Sequence, residues 1–152
     1  MFYFLEEDLK DLESRITKLR SELEITAKSI GQNGGGEGAW HDNFAFEEAH
    51  RQYALNAKRV SNLQEIREHA QLFDPDTDIG IVQLGKSVTI VEEGSGETQT
   101  FQIGSYMIVS NSRDAVSYAA PLAQLISGAT IGEVREGVIG GSLKRYKVVK
   151  IE

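Results

Sequence analysis

The side chains best suited to chemistry stand close together around position 40 of the chain. His41, Asp42, Glu48 and His50 carry nitrogen and oxygen atoms of the kind that ligate metal ions. The two histidines lie nine residues apart, which is not the i, i+4 spacing of a helical zinc site, so we expect surface histidines. The chain has no cysteine, which excludes a thiol nucleophile, a Cys-ligated zinc and a disulfide framework.

A run of glycines from Gly34 to Gly38 precedes this group. It is not a phosphate-binding loop, because it follows a helical pattern rather than a strand and has no Lys-Ser or Lys-Thr. We interpret it as a flexible turn. Asp42 after it is equally well explained as the N-cap of a helix or as a ligand, and the two roles are compatible. Glu48 is more often just a favourable charge near a helix start.

Two helices must position this group. A heptad series with spacings of 4 and 3 runs from Leu5 to Ile30, and a second series runs from Ala49 to Leu63, with the polar Asn56 among its members. Each series needs an apolar partner, and the glycine-rich segment between them is short enough to join antiparallel neighbours. The sequence predicts an antiparallel coiled-coil hairpin about 40 Å long, with its tip near residues 31–42.

The second half of the chain has the period of strands. The pattern predicts strands at 80–84, 87–92, 98–104, 106–110, 133–139 and 144–151, with a short helix that begins at Pro121 and ends near Gly128. Short connections favour antiparallel pairing. We therefore expect an α+β domain with an antiparallel sheet.

Charge and composition change between the halves. Residues 1–78 hold 16 acidic and 9 basic side chains, whereas residues 79–152 hold 7 of each. We predict a coiled-coil hairpin at 1–74, a linker at 75–78 around the helix-ending Pro75, and the sheet domain at 79–152. The net charge of −7 disfavours direct binding to nucleic acid.

The expected location is the cytoplasm. The first residues lack the basic region and the apolar run of a signal peptide, and no stretch approaches the ~18 apolar residues of a membrane span. We expect no membrane partner.

The second half resembles the C-terminal domain of the bacterial GreA/GreB transcription elongation factors. The segments that carry the resemblance are 85–90, 101–104, 116–123, 131–134 and 146–151. The resemblance implies an FKBP-like C-terminal domain after an N-terminal antiparallel coiled coil. FKBP-like describes shape here, and prolyl isomerase activity is not implied.

The resemblance also implies a function. Family members bind RNA polymerase, insert the coiled coil into its secondary channel and stimulate cleavage of backtracked transcripts by the polymerase itself, so the protein is expected to be no enzyme. The free protein would bind no cofactor. In the complex with polymerase its carboxylates would help to bind magnesium, because a hard cation takes oxygen ligands. Polymerase contacts would come from Tyr118, Pro121 and Leu122. Apart from the resemblance, the aromatic residues beside the glycine-rich segment suggest tip contacts by Trp40 and Phe44. Nucleic acid would be met only indirectly, through the polymerase.

The tip departs from the family pattern Asp-Leu-x-Glu-Asn-Ala-Glu-Tyr-His. Asp42, Glu48 and His50 match it, but Ala45 stands where the second carboxylate belongs. By this resemblance Asp42 is the main catalytic carboxylate and the magnesium ligand, and Glu48 or Glu37 would have to replace the missing one.

Two alternatives stay open. A factor with an incomplete tip can occupy the secondary channel as a regulator or inhibitor without cleavage. The heptads are also compatible with a coiled-coil interaction module unrelated to polymerase. Sedimentation separates this last case, because the polymerase factor is expected to be a monomer and the module a dimer.

Overall fold

The structure is a computed structural model that describes residues 1–33, 43–75, 80–110 and 114–152. The chain divides into two compact units. We call Met1–Asp11 together with Ala70–Glu152 the sheet unit, and Leu12–His69 the helical unit. The sequence-based boundary at residue 74 assigned the first 11 residues to the hairpin, whereas the structure groups them with the second half of the chain.

Two long helices dominate the first half, as the heptads predict. Helix α1 spans Glu6–Asn33 and helix α2 spans Asn43–Glu68. Inside the helical unit the heptad positions of both helices are buried or half-buried, and the most buried are Leu12, Ile16, Leu19 and Val60.

The helices run antiparallel. The guanidinium of Arg67, near the end of α2, lies 2.7 Å from the carboxylate of Glu13, near the start of α1. About two turns further along α1, Nε of Arg20 donates to the side-chain amide oxygen of Gln64 at 2.7 Å. From the first contact to the second, residue numbers increase along α1 and decrease along α2, as an antiparallel hairpin requires.

Two short parallel strands in the sheet unit were not predicted. Strand β1 (Phe2–Phe4) pairs with β2 (Ala70–Leu72), so that Phe2 stands opposite Ala70 and Phe4 opposite Leu72. Neither three-residue segment has enough alternation to be recognised alone, because each becomes a strand only through a partner about 68 residues away. Phe4 is fully buried.

A five-stranded sheet forms the rest of the unit. Its strands are β3 (Ser87–Glu92), β4 (Thr98–Gly104), β5 (Ala115–Ser117), β6 (Val134–Ile139) and β7 (Ser142–Ile151), in the spatial order β5-β4-β3-β7-β6. The predicted bounds of β3 and β4 are confirmed. The sheet is mostly antiparallel, as expected, but β5 pairs with β4 in parallel, so it is a mixed sheet.

Two predicted strands are wrong. Residues 80–84 form only a single bridge, between Ile81 and Thr130, and 106–110 is not in a strand. The edge position beside β4 is taken by β5 instead, with Gln102 opposite Ala115.

The short helix α3 spans Pro121–Ile126 and packs on the sheet, with Gly128 just beyond it at φ 77°. Its Ala123 and Ile126 enter a core that also contains Val88, Ile90, Phe101 and Val148. Within the described ranges, no helix is long and apolar enough to cross a membrane.

Candidate functional site

Most of the predicted tip site lies outside the described residues. This holds for Glu37, Trp40 and Asp42. The first described residue after this gap is Asn43, where helix α2 begins. Phe44 and Ala45 belong to the first turn of α2, and their side chains are also outside the described set.

Glu48 is the one candidate carboxylate whose surroundings are described. Its Oε2 lies 2.7 Å from Nη2 of Arg51, and its Oε1 accepts hydrogen bonds from the same nitrogen at 2.9 Å and from Nε2 of Gln52 at 3.1 Å. Arg51 and Gln52 stand three and four positions further along α2, where helix geometry brings side chains together. Both oxygens therefore already have donors on the same helix.

These contacts change the acidity of Glu48. The hydrogen bond from Arg51 is the largest cause that lowers the pKa of Glu48 below its ordinary value, and the hydrogen bond from Gln52 adds to it. The carboxylate is therefore more firmly ionised than an isolated glutamate, but its charge is balanced by a neighbouring cation.

His50 packs against an aromatic ring rather than a carboxylate. Its imidazole and the ring of Phe46 meet edge to face, with centroids 4.4 Å apart. The pair is at i, i+4 on the exposed side of α2. This contact favours the expectation that His50 is a surface histidine.

The described residues do not fit a magnesium site. In the described part of the chain, no three His, Cys, Asp or Glu side chains are grouped so that they could hold a metal ion. Glu48, which with Glu37 is one of the two candidates for the second carboxylate, is hydrogen-bonded to Arg51 and Gln52. A hard cation would have to displace these donors before it could take oxygen ligands from Glu48.

The predicted polymerase contacts lie together around the start of α3. Pro121 is the first residue of α3 and is exposed, while Tyr118 and Leu122 are half-buried against the core. Tyr118 also holds β1, because its hydroxyl accepts a hydrogen bond from the backbone N–H of Tyr3 at 3.1 Å. An open groove of about 320 Å³ runs beside these residues and is lined by Tyr118, Ala123 and Gln124, among others.

Sequence reasoning missed an aromatic cluster around Tyr118. Tyr3 lies 6.3 Å from Tyr118 between ring centroids, Tyr106 lies 6.4 Å from it, and Phe2 stacks on Tyr106 at 4.1 Å. All four rings are exposed or half-exposed. The signal available was the aromatic triplet at residues 2–4, but its partners are about 100 positions away in sequence.

Two of the four basic residues in the segment 144–150 lie close to carboxylates. Nε of Arg145 lies 3.6 Å from Glu93 and 3.7 Å from Glu136, and Nζ of Lys150 lies 2.7 Å from Glu152. From the sequence, the candidates for contact with nucleic acid are Lys144, Arg145, Lys147 and Lys150. A phosphate-binding face requires unmatched positive charge, and these pairs reduce it.

Comparison with known proteins identifies the family. Residues 76–152 match the model described as "Transcription elongation factor, GreA/GreB, C-term", which is half of the chain. The protein belongs to the GreA/GreB family of transcription elongation factors. The matched range lies in the sheet unit and contains α3 with the residues around Tyr118.

Relatives in this family align with between 72% and 99% of the chain. Transcription elongation factor GreA of Rickettsia typhi is 26% identical over 152 residues, which cover 99% of this chain and 90% of that protein. GreA of Paracoccus denitrificans is 28% identical over 110 residues, covering 72% and 70%. Among solved structures, GreA factor homolog 1 of Thermus thermophilus matches at 20% identity with a TM-score of 0.46, covering 99% of this chain and 97% of that one.

Proposed function

We propose that the protein binds RNA polymerase through its sheet unit, places its coiled coil in the secondary channel and regulates transcription from there. The family match over residues 76–152 carries this proposal. The α1–α2 hairpin supplies the rod, and the groove and aromatic rings around Tyr118 supply a surface for a protein partner.

The sequence of the tip and the contacts of Glu48 favour regulation without transcript cleavage. Ala45 brings no carboxylate to the second ligand position, and Glu48 is already bonded to Arg51 and Gln52. In this function the hairpin acts by occupying the channel and changing access to the active centre. The protein is then a regulator and not an enzyme, and any magnesium belongs to the polymerase.

Stimulation of transcript cleavage is the second candidate function. It is favoured by Asp42, which matches the family pattern immediately before α2, and by relatives named transcription elongation factor GreA. In this function Asp42 provides the main carboxylate, and Glu48 or Glu37 must assist it.

One assay separates the two functions. The protein is added to purified polymerase stalled on a template and backtracked, and transcripts are resolved by length while polymerase binding is measured in parallel. Binding without shortened transcripts supports the regulator. Shortened transcripts that disappear with Asp42→Asn support cleavage, because Asn caps a helix about as well as Asp and removes only the charge.

Ala45→Glu provides the matched gain-of-function variant. Glu is a good helix former at this position, so the substitution is expected to leave α2 intact while it restores the second carboxylate of the family pattern. Cleavage by Ala45→Glu but not by the wild type would show that the tip reaches the active centre and lacks only this group. Failure of the wild type to bind polymerase at all would end both proposals.

A further inference from the structure

The N-cap position of α1 is occupied by a leucine. The carbonyl of Leu5 accepts the first helical hydrogen bond, from the N–H of Leu9 at 3.0 Å, which makes Leu5 the N-cap residue. A leucine side chain cannot accept a hydrogen bond, and Ser, Thr, Asp and Asn are preferred at this position for that reason. The N–H of Leu5 is also a donor that must find a partner, since Leu5 is buried.

Ser105 supplies what Leu5 lacks, from 100 positions further along the chain. Its Oγ accepts a hydrogen bond from the N–H of Leu5 at 2.8 Å and donates one to Oδ2 of Asp8 at 2.5 Å. The backbone N–H of Ser105 also donates to the same oxygen of Asp8, at 3.3 Å. Ser105 is fully buried and Asp8 is 1% exposed.

The arrangement is a capping box with an inserted residue. In an ordinary capping box the side chain of the third helical residue accepts directly from the N–H of the N-cap residue. Asp8 is that third residue here, and the hydroxyl of Ser105 stands between its carboxylate and the N–H of Leu5. Because Ser105 directly follows β4, the first turn of α1 is completed only when the sheet is in place.

We propose that Leu5, Asp8 and Ser105 form a latch that fixes the start of α1 to the sheet unit, and that Ser105 and Asp8 are positioning residues for the action of the coiled coil. Helix α1 begins in the sheet unit and continues into the helical unit up to Asn33. Loss of the latch frays the first turn of α1, which lies in the sheet unit. The positioning role, which is the functional half of this inference, rests on the proposed function. The existence of the latch, which is the structural half, does not.

Hydrogen exchange on the full chain tests the structural half. Ser105→Ala removes the hydroxyl and is expected to speed exchange at the N–H of Leu9 on the order of tenfold, relative to the N–H groups of Val88 and Ile90 in β3. Ile90→Val is the matched control, because it weakens the core of the same unit without touching the latch. Ile90→Val should speed exchange at the N–H of Leu9 and at the N–H groups of β3 by the same factor. An unchanged ratio in Ser105→Ala would overturn the latch.

Asp8→Asn keeps the test decisive if Ser105→Ala does not fold. Asn has nearly the same volume and retains an oxygen that can accept from Ser105, but it loses the negative charge that favours a helix start. We expect a smaller, two- to fivefold increase in exchange at Leu9 relative to β3. No increase relative to β3 would overturn the role of the Asp8 carboxylate.

Polymerase assays test the functional half. Ser105→Ala should bind polymerase with an affinity within about twofold of the wild type, but change transcription several-fold less at saturating protein. Full transcriptional effect together with accelerated exchange at Leu9 would overturn the positioning role. If the wild type does not bind polymerase, the proposed function fails, and the exchange ratio alone decides the latch.

Discussion

Near the tip, the negative charge of Glu48 is matched by the guanidinium of Arg51 on the same helix. Because the pKa of Glu48 is lowered in the folded protein, the stabilisation from this pair is present above the ordinary glutamate pKa. It is lost as the pH falls through the lowered value. Both side chains reach solvent, so the pair is worth little to overall stability and matters for the local charge.

We predict that Arg51→Ala raises the pKa of Glu48 toward its ordinary value, because it removes the strongest donor to the carboxylate. The measurement is an NMR titration of the side-chain carboxyl carbons from acid to neutral pH. Arg59→Ala, a substitution of another exposed arginine on α2, should leave Glu48 unchanged. An equal pKa for Glu48 in the wild type and Arg51→Ala would mean that the pair does not form in solution.

Among helices and strands, the seam of the coiled coil contains one polar interruption. Asn56 is half-buried at a heptad position of α2, where an apolar residue would pack better. A polar residue in such a seam lowers stability and can fix the register of the two helices. The hairpin therefore gives up some stability at this point.

We predict that Asn56→Leu raises the free energy of unfolding of the helical unit by about 1 kcal/mol, because it extends the apolar seam. This free energy is measured by urea unfolding, monitored by circular dichroism at 222 nm. Lys58→Leu, at an exposed position of the same helix, is the control and should change stability by less than about 0.5 kcal/mol. A destabilised Asn56→Leu would show that Asn56 has polar partners that the seam pattern does not reveal.

Long helices and strands were predicted from the sequence, and short strands were not. The heptads of α1 and α2 and the β-branched runs of β3 and β4 are long enough to determine their own structure, and all four elements were predicted. Segments of three residues are too short to determine their own structure. Residues 106–110 have good strand composition, yet β5 at Ala115–Ser117 pairs with β4, because the partner decides a strand this short.

For the candidate site too, local features were predicted from the sequence and contacts between distant residues were not. Local sequence placed Pro121 at the start of α3, and it is the first residue of that helix. Contacts between distant residues could not be predicted, and these include the aromatic rings of Tyr3 and Tyr106 beside Tyr118 and the hydroxyl of Ser105 on Asp8. The roles of Asp42, Glu37, Trp40 and Phe44 stay predictions.

For the whole molecule, the division into units changes how polymerase binding should be tested. A fragment of residues 79–152 would lack β1, β2 and the buried Phe4 and Asp8. We predict that a chain joining residues 1–11 to 70–152 through a glycine-rich linker binds polymerase without altering transcription. The measurement is competition with the labelled full-length protein for polymerase. A separate peptide hairpin of residues 12–69 is the control, and stronger binding by that hairpin would contradict the assignment of binding to the sheet unit.

We also predict that the free protein binds neither DNA nor RNA at physiological salt. Its net charge is −7, and Arg145 and Lys150 in β7 face carboxylates. Fluorescence anisotropy with a labelled single-stranded oligonucleotide at two salt concentrations measures this. The double substitution Glu93→Gln and Glu136→Gln leaves Arg145 unmatched and should produce weak, salt-sensitive binding. Tight binding by the wild type would refute the prediction.

The pairing of β1 with β2 has a consequence for the order in which the protein is made. Residues 2–4 leave the ribosome before their partners at 70–72, which are synthesised only after the whole hairpin, and Ser105 comes later still. The hairpin can fold early from local contacts, whereas the aromatic N-terminal segment must wait. Until residues 70–72 and Ser105 have been synthesised, Phe2, Tyr3 and Phe4 lack the partners that they have in the folded protein, so this aromatic segment stays exposed on the nascent chain after the hairpin can fold.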